Sequence, residues 1–310
     1  MIAVAGKHAH WFCQPSLIRP SAGQHATRHG RQRSREKDFT LSDPATNHWS
    51  REGLTEALQD IIRESGRSLG DLSVVDLAPL DHFHGDGREA TLRLARLLDP
   101  APGTKVLDVG GALGGPARTL AVEFGCVVTV LDLTEDYVRA GEMLTAGLGL
   151  QDRVRFDLGN ALHLPYPPES FDVVWTQNSG MGIADKAGLY AEFWRVLRPG
   201  GTLATHEPVA GINGPPRHFP LVWADDPSAS HIVTRSALTE TIVAAGFVLL
   251  SEEQYLPIGG PFPAFTTPTG GTYSVQGVIM GEKLPGVMTA GARNREDGLV
   301  AGFMGLFSRV

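Results

Sequence analysis

Two apolar periods alternate along the chain. Between Trp49 and about Gly66, Leu54, Ala57, Leu58, Ile61 and Ile62 recur at helical spacing. Leu72–Leu80 reads as a short helix or turn, and Glu89–Leu98 as a second amphipathic helix that leads into Pro100-Ala101-Pro102-Gly103. From there short apolar runs alternate with helix-length ones. The pattern predicts strand 105–109, helix 115–124, strand 127–131, helix 135–148, strand 153–157, strand 171–175, helix 185–197 and strand 201–206. A helix at Ser236–Ala245, a strand at 247–254 and a last strand at Leu299–Phe307 follow. Strands alternating with helices specify an α/β fold with a parallel sheet. The segments 211–226 and 257–298 interrupt this rhythm. The first is rich in Pro and Gly, as is the start of the second through Gly271. Long insertions of this kind often cover a site. There are no internal repeats.

The densest local signal is Val106–Arg118. An apolar run ends at Asp108, the cluster Gly110, Gly111 and Gly114 follows, and a helix begins at Ala117. A second run, Val127–Leu131, ends in Asp132. Glycines let the backbone turn sharply and approach a ligand. A carboxylate at the tip of the second strand can accept hydrogen bonds from ribose hydroxyls. An adenosine-bearing cofactor at the strand tips is the expectation. Dinucleotide dehydrogenases and S-adenosylmethionine methyltransferases share this layout. A dinucleotide fingerprint starting at Gly110 needs glycine where Ala112 stands.

The downstream motifs separate the two. Leu164-Pro165-Tyr166 and Ser170-Phe171-Asp172-Val173-Val174-Trp175 form a Pro-bounded turn into a buried strand. Trp194-Arg195-Val196-Leu197-Arg198-Pro199-Gly200-Gly201-Thr202-Leu203 reads as a helix end, a Pro-Gly-Gly turn and a strand. From about Trp49 to the C-terminus this succession resembles class I S-adenosylmethionine-dependent methyltransferases. Asp81-His82-Phe83-His84, Gly87–Thr91, Trp175-Thr176-Gln177 and Ile183–Lys186 resemble the sarcosine/dimethylglycine N-methyltransferase-like and ubiquinone/menaquinone methyltransferase-like group. The resemblance implies a Rossmann-like, seven-stranded, mostly parallel sheet with an antiparallel last strand, behind a helical N-terminal cap at 46–104. It makes 105–310 the cofactor-binding domain.

By resemblance, Gly110, Gly111 and Gly114 wrap the methionine part of S-adenosylmethionine, and Asp108 holds its amino group or organises the turn. Asp132 binds the ribose and Leu133 packs on the adenine. Asn160 and Ala161 take the place of the family's Asp-Ala, and an amide oxygen can accept from the adenine amino group as a carboxylate does. Alternatively Asn160 is a loop residue bonded to its own backbone. Arg88 and Thr91 are placed at the cofactor carboxylate, with a solvated helix start as the other reading of Arg88. Ala112 departs from the family's glycine. Its methyl group is expected to bar a left-handed backbone and to cost cofactor affinity. Gln177 and Asn178 follow the fourth strand beside the methyl group. His82, His84 and His206 are read either as buried hydrogen-bonded residues or as substrate-side bases. Trp223 with Asp225 and Asp226 is a hydrophobic anchor before an Asp-Pro turn, or a cage for a cationic amine.

Composition narrows the picture. The chain is 42% hydrophobic, ample for a core, and no apolar run reaches membrane-spanning length. Its two cysteines, Cys13 and Cys126, form no disulfide framework, which points to a reducing, cytoplasmic setting. No Cys/His/Glu spacing completes a metal site. Residues 1–40 carry a balance of +5, so the rest of the chain carries −12. The basic stretch, to about residue 45, lacks an apolar period and reads as a disordered, dispensable leader. The acidic body argues against a nucleic-acid partner. The expected partners are a small-molecule methyl acceptor and, at most, further copies of this chain. The expected activity is methylation of a small molecule with S-adenosylmethionine as cofactor. N-methylation of an amine is preferred, and C- or O-methylation of a quinone, polyketide or terpenoid is the alternative. A cofactor-binding protein without turnover is the reading from another class.

Overall fold

The computed structural model describes residues 48–255 and 262–310. The basic leader expected at 1–45 lies outside the described residues.

The chain opens with helices α1 (Leu54–Glu64), α2 (Val74–Asp81) and α3 (Gly87–Leu98). Leu54, Leu58, Ile61 and Ile62 form the buried stripe of α1, as their spacing predicts. Ser73 caps α2 by accepting from the N–H of Asp76. The alternating core follows as β1 (Lys105–Val109), α4 (Gly115–Glu123), β2 (Val127–Asp132), α5 (Glu135–Gly147), β3 (Val154–Leu158) and β4 (Phe171–Gln177). Next come α6 (Lys186–Val196), β5 (Leu197–Ala210), α7 (Arg235–Ala244) and β6 (Phe247–Tyr255). The sheet order is β3-β2-β1-β4-β5-β9-β6, where β9 (Val300–Arg309) runs antiparallel to both neighbours and the other pairings are parallel. This is the expected seven-stranded arrangement.

Helices cover both faces, so the central strands are apolar on both sides. Leu107 and Val109 face a core built with α6 and α7, through Phe193, Val196 and Ile242. Val106, Val128 and Val130 face the other core, with Leu94 of α3 and Leu120 of α4. A third cluster joins α1 and α2 to α5 through Leu58, Leu77 and Leu144. Strand order reverses between β1 and β4, and in open α/β sheets that switch point opens the ligand crevice at the carboxyl ends of the strands.

The region 257–298 is more regular than its opening composition suggests. Beyond residue 261 it holds a short hairpin, β7 (Phe265–Thr266) and β8 (Thr272–Tyr273), and helices α8 (Val275–Met280) and α9 (Leu284–Glu296). The hairpin and α8 bury Phe265 and Val275 against α1 and α2. No helix among the described residues is long and apolar enough to cross a membrane.

Candidate active site

A cavity of about 1460 Å³ opens at the carboxyl ends of β1, β2 and β4. It exceeds the roughly 300–1,000 Å³ of an ordinary ligand pocket. Asp108, Gly110, Gly111, Ala112, Asp132, Leu133, Asn160, Ala161 and Gln177 all line it. The turn after β1 is built by backbone conformation. Gly110 has φ +69°, and a Cβ there would lie 2.4 Å from Cβ of Ser179. Ala112 has φ +48°. The expectation that its methyl group bars a left-handed backbone is therefore corrected. The conformation is held from outside, because the Ala112 N–H donates to Oδ2 of Asp132 at 2.9 Å. Oδ1 of Asp132 accepts from the Thr134 N–H at 2.9 Å. Asp132 is thus fixed by two backbone donors, and burial raises its carboxyl above the usual range. Asp108 is buried, and its Oδ2 has no partner. Burial, then the neighbouring Asp132, pushes its carboxyl up to about 8. Asn160 engages its Oδ1 with the N–H of Leu162 at 2.9 Å, the local turn anticipated as its other reading.

Three expected cofactor contacts stand elsewhere. Gly114 lies behind the cavity wall; it starts α4 at φ +77°, where a Cβ would meet the Phe156 ring at 2.5 Å. Arg88 donates to Glu123 at 2.5 Å and does not line the cavity. Thr91 is buried beneath the wall.

The four expected acceptor-side residues also separate. His84 and Gln177 line the cavity, whereas His82 and His206 do not. His82 is buried between Asp81, whose Oδ1 is 2.6 Å from Nδ1, and Thr119, 3.4 Å from Nε2. It is a packing residue, not a substrate-side group. His206 lies under the wall in a chain whose proton directions follow from one donor. The Trp175 indole N–H can only donate, and it reaches Oε1 of Gln177 at 3.0 Å. The Gln177 amide NH2 therefore faces His206 Nδ1, 3.2 Å away, which must accept. The His206 proton then sits on Nε2 and donates to the Tyr255 hydroxyl at 2.5 Å. Burial, then Arg93, lowers His206 to about 4. His84 donates from Nδ1 to the Gly85 carbonyl at 3.0 Å, and its Nε2 lies 3.2 Å from the Thr91 hydroxyl. Burial, followed by His82 and His206, lowers it to about 3. Both imidazoles are neutral at pH 7 and poor bases.

The remaining acidic groups suggested for an amine are already engaged. Asp225 accepts from Lys283 Nζ at 3.1 and 3.2 Å and lies 3.5 Å from His48. Asp226 accepts from the Ser228 N–H and hydroxyl, and Trp223 donates to Ser230. The turn-and-anchor reading of this segment is the one the contacts support. No cluster of metal-ligating side chains occurs among the described residues.

Sequence reasoning missed several members of this assembly. Tyr137, in the first turn of α5, lines the cavity with a buried hydroxyl that has no partner. Arg118 is fully buried and donates to Asp81 Oδ2 at 3.0 Å, the Leu113 carbonyl at 2.7 Å and Thr145 at 2.8 Å. A lone charge in the small, apolar run Gly115–Val122 was the available signal. Burial opposes ionisation of Asp81, but His82 and Arg118 outweigh it and hold the carboxyl below its ordinary value. Gly115 permits this approach, since a Cβ there would lie 2.5 Å from the Asp81 carbonyl oxygen. Glu207, by contrast, is legible in the chain, since it ends the fifth strand beside His206, where an open α/β sheet places functional groups; it accepts the N–H groups of Ser179 and Gly180 and shapes the loop after β4.

Comparison with known proteins adds what the chain is similar to. Residues 107–205 match the model of a methyltransferase domain. Methyltransferase GfsG of Streptomyces halstedii is 32% identical over 197 residues, which are 63% of this chain and 62% of that protein. The glycine/sarcosine/dimethylglycine N-methyltransferase of Actinopolyspora halophila is 37% identical over 118 residues, 38% of this chain and 21% of that protein. The chain thus spans less than two thirds of these relatives. Among solved structures, a geranyl diphosphate C-methyltransferase from Streptomyces coelicolor A3(2) superposes with a TM-score of 0.57 at 18% identity, covering 87% of this chain and 99% of that one. That likeness bears on the fold alone. Over residues 107–205, then, the chain is similar to a methyltransferase domain, and it shares its fold with methyltransferases among the solved structures.

Proposed function

We propose that this protein transfers a methyl group from S-adenosylmethionine to an acidic hydroxyl, phenol or enol, on a bulky and largely apolar small molecule. The observation that carries the reading is the cavity: about 1460 Å³, lined both by the acids and glycines of the strand tips and by the engaged Asp225 and Asp226. The fit to the cofactor rests on unpartnered polar atoms. Of the buried side-chain atoms without a partner, Asp108 Oδ2, Tyr137 OH and Asn178 Oδ1 all belong to residues of this one cavity. Unsatisfied buried groups are rare and call for a ligand or water. Asp108 is placed for the cofactor's ammonium, Asp132 for its ribose hydroxyls, and Leu133 and Ala161 for the adenine. When bound, the cofactor supplies an electrophilic methyl carbon on a sulfonium.

The chain's own residues then align and desolvate the acceptor. Trp49, Phe83, Met181, Phe262 and Met288 supply apolar wall. Asn178 Oδ1 accepts a hydrogen bond from the acceptor hydroxyl, which fits a side chain held at φ +52° with that oxygen orphaned. Asp225 and Asp226 are engaged, so a small ammonium finds no free carboxylate there. This favours oxygen over the amine that the motifs suggested. His84, at about 3, takes no proton at neutral pH. The hydroxyl therefore loses its proton without help from His84, and acidic hydroxyls are favoured over aliphatic alcohols. A tritiated-methyl transfer screen tests this. Label should appear in bulky phenols or enols. Label confined to sarcosine-sized amines, or no transfer by protein that binds the cofactor, would overturn the reading.

A further inference from the structure

We infer that the acceptor chamber holds a dedicated site for an anionic group at Arg295, so that the acceptor is an apolar body bearing a carboxylate or similar acid. This rests on the methyl-transfer reading and adds a substrate class to it. Five residues of α9, Val287, Met288, Gly291, Asn294 and Arg295, line the cavity together with its N-cap, Lys283. Their spacing puts them on one face of α9, and twelve residues at 1.5 Å each make that wall about 18 Å long. Its middle is apolar or bare and its ends are cationic. The two cations are not equivalent. Lys283 is engaged with Asp225. Arg295 is half-buried and has no hydrogen-bond or ion-pair partner among the described residues. The other arginine of the cavity, Arg93, is paired with Glu253.

The guanidinium is also positioned. Its Nη1 lies 3.5 Å from where a Cβ of Gly291 would be, so it rests over the bare turn of helix before it. The helix is locked in rotation by the adjacent Asn294. The Asn294 Oδ1 accepts from the N–H groups of Arg217 and His218 at 2.9 and 3.1 Å, and its Nδ2 donates to the His218 carbonyl at 2.7 Å. A fixed planar fork of N–H donors with no internal acceptor matches a carboxylate in two-pronged fashion. The cavity face of α9 carries no acidic side chain, so the anion has to come from the ligand.

The test uses two fluorescent probes of the same body on the full chain saturated with S-adenosylhomocysteine. One is 8-anilinonaphthalene-1-sulfonate and the other the uncharged N-phenyl-1-naphthylamine. Arg295→Gln should weaken the sulfonate probe about ten-fold or more, the scale of a lost charge-assisted hydrogen bond, and leave the neutral probe unchanged. Arg293→Gln, the same charge change off the cavity, should change neither. Equal sulfonate affinity in Arg295→Gln and parent, or equal losses in both variants, overturns the anion site. Calorimetric binding of S-adenosylmethionine by the parent separates this outcome from failure of the cofactor reading. An unchanged melting temperature in Arg295→Gln shows that the loss is not unfolding.

Discussion

Replacing Ala112 by glycine tests the turn on which the cofactor half of the site is built. Ala112 sits at φ +48° and donates its N–H to Asp132 at 2.9 Å. A left-handed conformation costs an L-residue about 1–2 kcal/mol, which glycine does not incur. Against this, the glycine chain is freer when unfolded, by about 0.4–1 kcal/mol. The balance runs from near zero to about 1.5 kcal/mol of stabilisation. At roughly 2–4 °C per kcal/mol for a domain of this size, the melting temperature should rise by up to about 6 °C. The hydrogen bond to Asp132 comes from the backbone and survives the substitution. S-adenosylmethionine affinity should therefore stay the same or tighten as the methyl group leaves the cavity wall. Thermal unfolding with calorimetric titration reads both quantities. A drop of several degrees together with lost affinity would refute the argument, because it would mean that the Ala112 methyl makes a needed contact.

Other outcomes follow from the same geometry. Arg118→Met leaves the buried Asp81 with His82 as its one remaining side-chain partner and should cost about 3–5 kcal/mol in urea unfolding; a loss under 1 kcal/mol contradicts the ion-pair account. Asp108 and Glu207, raised to about 8 and 7 chiefly by burial, hold protons in the folded state that the unfolded chain releases near pH 4. Their contribution is therefore lost as pH rises through those values. His84 and His206, lowered to about 3 and 4, act in the opposite sense, but only up to about pH 6.5. Stability should thus fall between pH 6.5 and 8, and Asp108→Asn should flatten the fall; a parent profile that rises across this window sinks the assignment. His84→Ala should leave the ascending limb of the pH–rate profile on the acceptor's own pKa, while a limb that moves with the substitution makes His84 the base.

Much of this was readable in the chain because period and punctuation carry it. The run Val106–Val109, the acid–glycine turn and Asp132 at the next strand tip place this wall of the cavity without any tertiary knowledge. Side-chain direction was not readable. His82 and His84 are two residues apart, yet one turns into the Asp81–Arg118 cluster and the other toward the cavity. Arg88 looked free to reach a carboxylate, but the path of α3 puts it beside Glu123. The role of α9 was hidden for another reason. Its cavity face is assembled against the 217–218 turn, some 77 residues away in sequence, through one asparagine. Local pattern carries no trace of such a contact.

The central claim is that Asp132 and the turn around Gly110 hold S-adenosylmethionine. The direct measurement is a calorimetric titration of the parent and of Asp132→Ala with S-adenosylmethionine, with circular dichroism confirming that the variant is folded. The parent should bind, and the variant should lose roughly 1.5–3 kcal/mol, a factor of about 10–150, for the charged hydrogen bonds removed. A folded variant that binds as tightly as the parent contradicts the account.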